Sequence, residues 1–235
     1  MFQTLLYIPL FNILISLYNT VTFSDLGIAI VLLTIVIRLI FYPLFYKSFK
    51  QQTIMQKIQP EVARIQHVHK DDKEKQAHAL MELYKNHKVN PFSGFLLILV
   101  QLPILIALYK VFMSGFTDGT LDVLYSFISN PGHLNTISLG LIDLQEKSIV
   151  IVVLAALFQY YQSVLSLPHT LPGEETDQSR IAKKMSYIGP VLTLVILWSL
   201  PAAVGVYWMT SSAFSVLQQR IINKQLNLPN TNGSR

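Results

Sequence analysis

The stretch "LTIVIRLIFYPLF", residues 33–45, holds a single arginine, Arg38, in a run of apolar and weakly polar residues with no acid to neutralise it. A permanent cation in such a run is costly in water-free surroundings and commonplace at a surface, so the fold turns on which of these the run is. Composition decides. In 235 residues, 51% are hydrophobic and only 13% charged, the mean hydropathy is positive, and that balance is wrong for a water-soluble domain. The chain reads as a membrane protein.

Apolar stretches run from Leu26 to Tyr46, Phe92 to Met113 and Ile149 to Leu167, each near the ~20 residues that cross a bilayer core. A fourth and a fifth occupy Ile181 to Leu200 and Ala202 to Ile222, with Pro201 placed to turn the chain between them. One buried hairpin is the other reading of that pair, and its short apolar cores suit thinned bilayer. Residues 1–22 are apolar too, but have no basic n-region and no small-residue cleavage site. They read as a helix lying in the membrane interface, with a further span as the alternative.

Orientation follows from the basic residues. Nine of the 18 Lys and Arg lie between Lys47 and Lys88, three more in the loop Pro168 to Lys184, and three from Arg220 onward. Lys and Arg accumulate on the cytoplasmic side, which predicts five crossings with the N-terminus outside and the C-terminus in the cytoplasm. No cysteine is present, so neither a disulfide framework nor an acylated cysteine contributes. The divisions expected are an interfacial helix at 1–22, a first transmembrane helix at 23–46, a cytoplasmic αα-hairpin at 47–90, transmembrane helices two to five with their loops at 91–222, and a short cytoplasmic tail at 223–235.

Within 47–90, Ile54, Ile58, Val62 and Ile65 recur at helical spacing, as do Ala77, Leu80, Met81 and Tyr84. Pro60 is expected to kink the first arm or start a new turn, and Asp71 with Glu74 makes a capping box for the second. The hairpin's nine basic residues face five acids, a surface suited to anionic lipid or to ribosomal RNA, or to no partner at all.

Arg38 lies eight residues in from Tyr46, about 12 Å by helical rise, deep for an arginine to reach the headgroups by snorkelling. An arginine at mid-depth costs roughly 2.5 to 3.5 kcal/mol even on permissive scales, so it is expected to face protein or water. The other spans supply polar faces to meet it. Gln159, Gln162, Ser163 and Ser166 share one helix face, Ser211, Ser215 and Gln218 another, Thr34 sits one turn before Arg38, and Gln101 lies near mid-depth in the second span. Together they predict a hydrophilic groove open to the cytoplasm with Arg38 as its one formal charge. Taken singly, each polar residue is explained as well by a helix-to-helix hydrogen bond worth about 0.6 kcal/mol.

Three stretches carry a resemblance: "GIAIVLLTIVIRLIFYPL" (27–44), "LYKNHKVNPFSGFLLILVQLPILIALYKVF" (83–112) and "SLPAAVGVYWMTSSAFSVLQQRI" (199–221), in that order, together with "MQKIQPEVARIQ" (55–66). They resemble the YidC family of membrane protein insertases over about residues 24 to 222. The resemblance implies an all-α membrane protein, five transmembrane helices around a hydrophilic groove open to the cytoplasm, with a charged cytoplasmic hairpin and an N-terminal interfacial helix. It implies that Arg38 is the groove arginine and that Thr34, Gln101, Tyr207 and Trp208 fall on the groove wall or on substrate-contact helices. The expected partners are nascent membrane proteins, the ribosome through the basic segments, the Sec translocon and anionic lipids. The expected location is a bacterial cytoplasmic membrane. Two departures stand out: the large extracytoplasmic domain of Gram-negative members is not seen, and the family's "PLGGC" turn reads "PFSGF" here at 91–95.

An anion or small-solute transporter is the rival reading, since a buried arginine can bind an anion. Against it, all 13 acids fall outside the spans or at their edges, and no inverted repeat is visible. Enzymatic function has no support in the motifs: there is no His-Glu-x-x-His pair, no nucleophile elbow and no phosphate loop, and His67 with His69 lack further ligands. No cofactor or metal is implied.

Overall fold

Asp25, Asp72 and Ser148 each have extended backbone and each accept a hydrogen bond from the N–H three residues on, which starts three of the helices. In the computed structural model, which describes residues 2–90, 93–113, 120–167, 184 and 187–226 (94–98 by backbone alone), the chain is helical almost throughout. A π-helical turn at Gln3–Tyr7 leads into α1 (Ile8–Thr20), followed by α2 (Leu26–Ile40), α3 (Tyr42–Lys57), α4 (Gln59–Val68), α5 (Lys73–Asn86) and α6 (Ser93–Met113). After a small antiparallel pair, β1 (Ile137–Ser138) and β2 (Ile142–Asp143), come α7 (Ile149–Leu165), α8 (Ile188–Leu197) and α9 (Ala202–Gln225). The basic loop from Pro168 lies outside the described residues apart from Lys184, as does the tail beyond Leu226.

The stretch expected as one straight span at 23–46 is two helices. The axis bends by 71° between α2 and α3, at Phe41, just before Pro43 occupies the first turn of α3. Proline has no N–H to contribute there and its fixed φ suits a helix start, so the chain restarts in a new direction at small cost. Among the described residues no single helix is long and apolar enough to cross a membrane alone, while α2 and α3 pass that test as a bent pair. The 10 residues of α8 and the 17 of α7 are likewise shorter than the apolar stretches that contain them.

Burial divides the bundle along its length. Toward the Asp25 end, Leu26, Ala29, Ile30 and Leu33 of α2 pack with Phe11, Leu14 and Ile15 of α1, Ala107 and Leu108 of α6, Ile151 and Val152 of α7 and Val204 of α9. Toward the other end the buried positions of α9 turn polar: Ser211, Ser212, Ser215, Gln218, Gln219 and Asn223. One helix thus lends an apolar half to the core and a polar half to the region around Arg38.

The helix at Ile8–Thr20 is no loose appendage. Asn12 donates to the Val123 carbonyl at 3.0 Å and accepts from the Tyr125 N–H at 2.7 Å, Asn19 donates to the Ser129 carbonyl, and the Tyr18 hydroxyl accepts from the Asn135 N–H. These bonds fasten it to the connection between α6 and α7. In the hairpin, Ile58 and Val62 pack on Leu83 and Val89, with Ile54, Ile65, Leu80 and Tyr84 at the edges, while Met81 is exposed. Its second arm is capped one residue later than the Asp71–Glu74 box expected from sequence: Asp72 is the extended residue, and its carboxylate takes the Lys75 N–H at 3.0 Å and the Lys75 ammonium at 2.9 Å. The Lys75 bond holds the Asp72 carboxyl below the ordinary carboxylate range.

Close approach of α7 and α9 depends on Gly205, where a Cβ would stand 2.6 Å from Ile151 Cγ2. Gly205→Leu is expected to cost about 1 to 3 kcal/mol through overpacking. The check is the thermal midpoint of the purified protein in detergent, which should fall for Gly205→Leu and recover when Ile151→Ala is added; an unchanged midpoint refutes the packing argument.

Candidate functional site

Arg38 stands in the last turn of α2, on the face turned toward α9, and is only 6% exposed. Its Nε donates to Ser211 Oγ at 3.0 Å, and Nη2 donates to the same hydroxyl. Nη1 is buried and has no hydrogen-bond partner among the described residues. Over the guanidinium lies the ring of Phe45, its centroid 4.3 Å from Cζ. A desolvated cation over an aromatic face is held by the ring quadrupole, typically for about 2 kcal/mol. Among the described residues no carboxylate takes part. A seryl hydroxyl and a ring therefore compensate the charge only partly, and Nη1 is a donor in search of an acceptor.

Helix α9 supplies most of the surrounding polar groups, because Ser211, Ser215 and Gln218 recur on one face and Ser212 and Gln219 lie beside it. Ser215 donates back to the Ser211 carbonyl at 3.0 Å. Tyr207, one turn before Ser211, is buried; its hydroxyl engages Ser211 and accepts from Gln101 Nε2. Gln159 of α7 accepts from Ser212 Oγ at 3.2 Å. Gly189 of α8 packs against this face, where a Cβ would sit 3.5 Å from Gln159 Nε2 and 3.6 Å from Ser163 Oγ.

Of the residues predicted from sequence, Arg38, Ser211, Tyr207 and Gln101 form one connected group, joined on its flank by the Gln159–Ser212 pair. Thr34 is buried on the same helix face as Arg38, but its hydroxyl donates to the Ile30 carbonyl at 2.6 Å and is spent locally. Gln162 is half-buried on α7 and is not among the guanidinium's partners. Trp208 packs against the apolar core instead. The polar faces predicted to line an open cavity are packed together here as a seam, closed by α3 from one side.

The closing face was not read from the sequence. Because α3 leaves Phe41 at a steep angle, it lies along the polar half of α9: the Tyr42 carbonyl accepts from Gln218 Nε2 at 3.3 Å, Thr53 Oγ1 accepts from Gln219 Nε2 at 2.8 Å, and the Tyr46 hydroxyl donates to Gln225 Oε1 at 2.5 Å. Phe45 and Phe49 pack with Ile222 beside these bonds. The Oε1 atoms of Gln218, Gln219 and Gln51 are buried without a partner among the described residues. Proline at 43 was the available signal for the bend; the polar stripe of α9 out to Asn223 was the signal for its partner.

A family model described as 60Kd inner membrane protein matches residues 16–230. A protein of Fusobacterium nucleatum subsp. nucleatum named membrane protein insertase YidC is 34% identical over 202 residues, covering 86% of this chain and 88% of that protein. A protein of the same name from Pelagibacter ubique is 34% identical over 231 residues, 95% of this chain and 39% of its own length. In Magnetococcus marinus the corresponding protein is 33% identical over 220 residues, 93% of this chain and 35% of its own length. Apart from the Fusobacterium protein, the chain thus spans well under half the length of these relatives.

Proposed function

This chain belongs to the YidC family of membrane protein insertases, and from that membership we propose that it moves nascent apolar segments from the cytoplasm into the bilayer through the polar seam around Arg38, without nucleotide hydrolysis. The observation that carries the reading is the unfinished hydrogen bonding of that seam: Arg38 Nη1 and the Oε1 atoms of Gln218 and Gln219, all buried, lack partners among the described residues. Groups of that kind are rare in a finished core and are expected where a further molecule completes them. A nascent segment with acidic or amide side chains brings both kinds of complement.

The physical task is to bring a polar stretch part-way across hydrocarbon, where each bare amide or hydroxyl costs roughly 2 to 7 kcal/mol. The seam offers Arg38 to a carboxylate and the glutamine oxygens to N–H donors, so the cost is met by protein in place of water. Meanwhile the apolar part of the substrate moves to lipid along exposed apolar faces of α7 and α8, such as Leu157 and Val191. Entry requires α3 to swing away, since Phe45 and Tyr42 now cover the seam. In this reading the Arg38 end of the bundle faces the cytoplasm of a bacterial inner membrane, the C-terminus lies inside, and the Ile8–Thr20 helix lies at the outer interface, tied to the α6–α7 connection. Ribosome, Sec translocon and anionic lipid are proposed partners, the first and last through the basic hairpin. The role is non-enzymatic.

Reconstitution tests this. Proteoliposomes are offered a newly synthesised single-span substrate with an acidic N-terminal tail, and the membrane-protected fragment is measured against empty liposomes. Protected fragment above the empty-vesicle level supports the proposal. Its absence, together with anion flux through the same vesicles, would replace insertase with the transporter reading.

A further inference from the structure

The strongest unused feature lies at the opposite end of the bundle from Arg38. Leu139 and Gly140 are the central residues of a tight turn, φ 53° and 69°, closed by the Leu141 N–H donating to the Ser138 carbonyl at 3.0 Å. Left-handed φ at both positions is the pattern of the hairpin turn that ordinarily selects Asn-Gly. A leucine at the first position carries backbone strain that asparagine or glycine would relieve. Nothing in the fold repays that strain, because Leu139 is 70% exposed and Leu141 83%.

A second strained apolar residue is fastened to the same turn. Phe23 has φ 51° and is 99% exposed. Two residues on, Asp25 accepts from Ile28 N–H, from Ser138 Oγ at 2.8 Å and from Leu139 N–H at 2.7 Å, so one carboxylate locks the Phe23 turn, the start of α2 and the hairpin together. A Cβ on Gly27 would meet Ser138 Oγ at 2.1 Å, so the fit tolerates only glycine there. The same connection holds the start of α9 through Ala202 and Ala203, whose N–H groups donate to the carbonyls of Glu146 and Leu144.

We infer that the Leu139–Leu141 turn and Phe23 form one rigid wedge that inserts into the acyl chains of the outer leaflet. This rests on the chain lying in a membrane as proposed above. Helix lengths select lipid over a protein partner as the occupant. The 17 residues of α7, which begin directly after this connection, rise only about 25 Å, against a hydrocarbon core of about 30 Å. The connection therefore sits at acyl depth, where strained, projecting leucine and phenylalanine are favourable and asparagine is not.

The test uses the absence of cysteine in the full chain. Single variants Leu141→Cys, Leu157→Cys and Lys73→Cys, each carrying an environment-sensitive fluorophore, are reconstituted into vesicles containing spin-labelled phosphatidylcholine. Position 157, exposed on α7, reports lipid contact by a span, and 73, exposed at the start of α5, reports water. Quenching at 141 is expected within about twofold of that at 157, as for side chains buried a few ångströms past the headgroups, with little at 73. Quenching at 157 but not at 141 overturns the wedge while leaving the membrane reading intact. A blue-shifted but unquenched 141 also overturns it, placing protein there instead. No quenching at 157 brings down both. Leu139→Asn separates strain from lipid contact: its thermal midpoint in detergent should be unchanged or higher, whereas a fall in that midpoint would show that the leucine serves the fold.

Discussion

Arg38→Ala is expected to lower substrate insertion in proteoliposomes by roughly 10- to 100-fold, the worth of a charge-assisted hydrogen bond of about 1.5 to 3 kcal/mol, while leaving the protein folded. The second half of that expectation is the unusual one. Removing a buried side chain ordinarily destabilises, but Arg38 is a desolvated cation whose polar compensation is one serine hydroxyl, with Nη1 unpartnered among the described residues. Replacing a poorly compensated buried charge by an apolar group is often neutral or stabilising. The thermal midpoint in detergent should therefore hold or rise as activity falls, which a purely structural arginine would not produce. Arg38→Lys distinguishes charge from wetness. Lysine keeps a cation in the seam but cannot reproduce the guanidinium's paired donors to Ser211, so it should retain most insertion of acidic substrates. Should alanine insert such a substrate as well as wild type, the charge is dispensable and the amide and hydroxyl groups of the seam carry the work.

Arg38 itself was legible in sequence because a lone cation in an apolar run has few physical outcomes, and the α9 stripe was legible because Ser211, Ser215 and Gln218 repeat at helical spacing. Their mutual contact was less so. Periodicity places residues on a face but does not say which face meets which, and Trp208, adjacent to Tyr207 in sequence, turns to the apolar core for that reason. Thr34 shows a second limit: its place on the Arg38 face was correct, yet a hydroxyl on a helix can always bond the carbonyl four residues back. The largest gap is Phe45. Hydropathy predicts one span from Leu26 to Tyr46 and assigns Phe45 no role within it; after a 71° bend it covers the guanidinium. Hydropathy averages over such a bend, so it gives no sign that α3 lies along the polar half of α9. Only the proline at 43 carried the local information.

If α3 is the cover of that seam, then holding it shut should stop the protein working. Tyr46 and Gln225 meet at the rim of the α3–α9 contact, 2.5 Å between their oxygens, and neither position is needed to hold Arg38. With both changed to cysteine in a chain that has no other, a short reducible bifunctional thiol reagent ties α3 to α9 without touching Phe45 or the guanidinium. Insertion is expected to drop to near the empty-liposome level on cross-linking and to return on reduction, with each single-cysteine variant unaffected by the same treatment. The size of the effect follows from the kind of contact: α3 is held by the bonds from Gln218 to the Tyr42 carbonyl and from Gln219 to Thr53, each worth only about 0.5 to 1.5 kcal/mol net, and by the packing of Phe45 and Phe49 on Ile222, all of which are reversible, whereas a covalent tie is not opened by thermal motion. Full insertion by the cross-linked protein would show that substrates reach lipid without displacing α3, and the route would then have to lie along α7 and α8 alone.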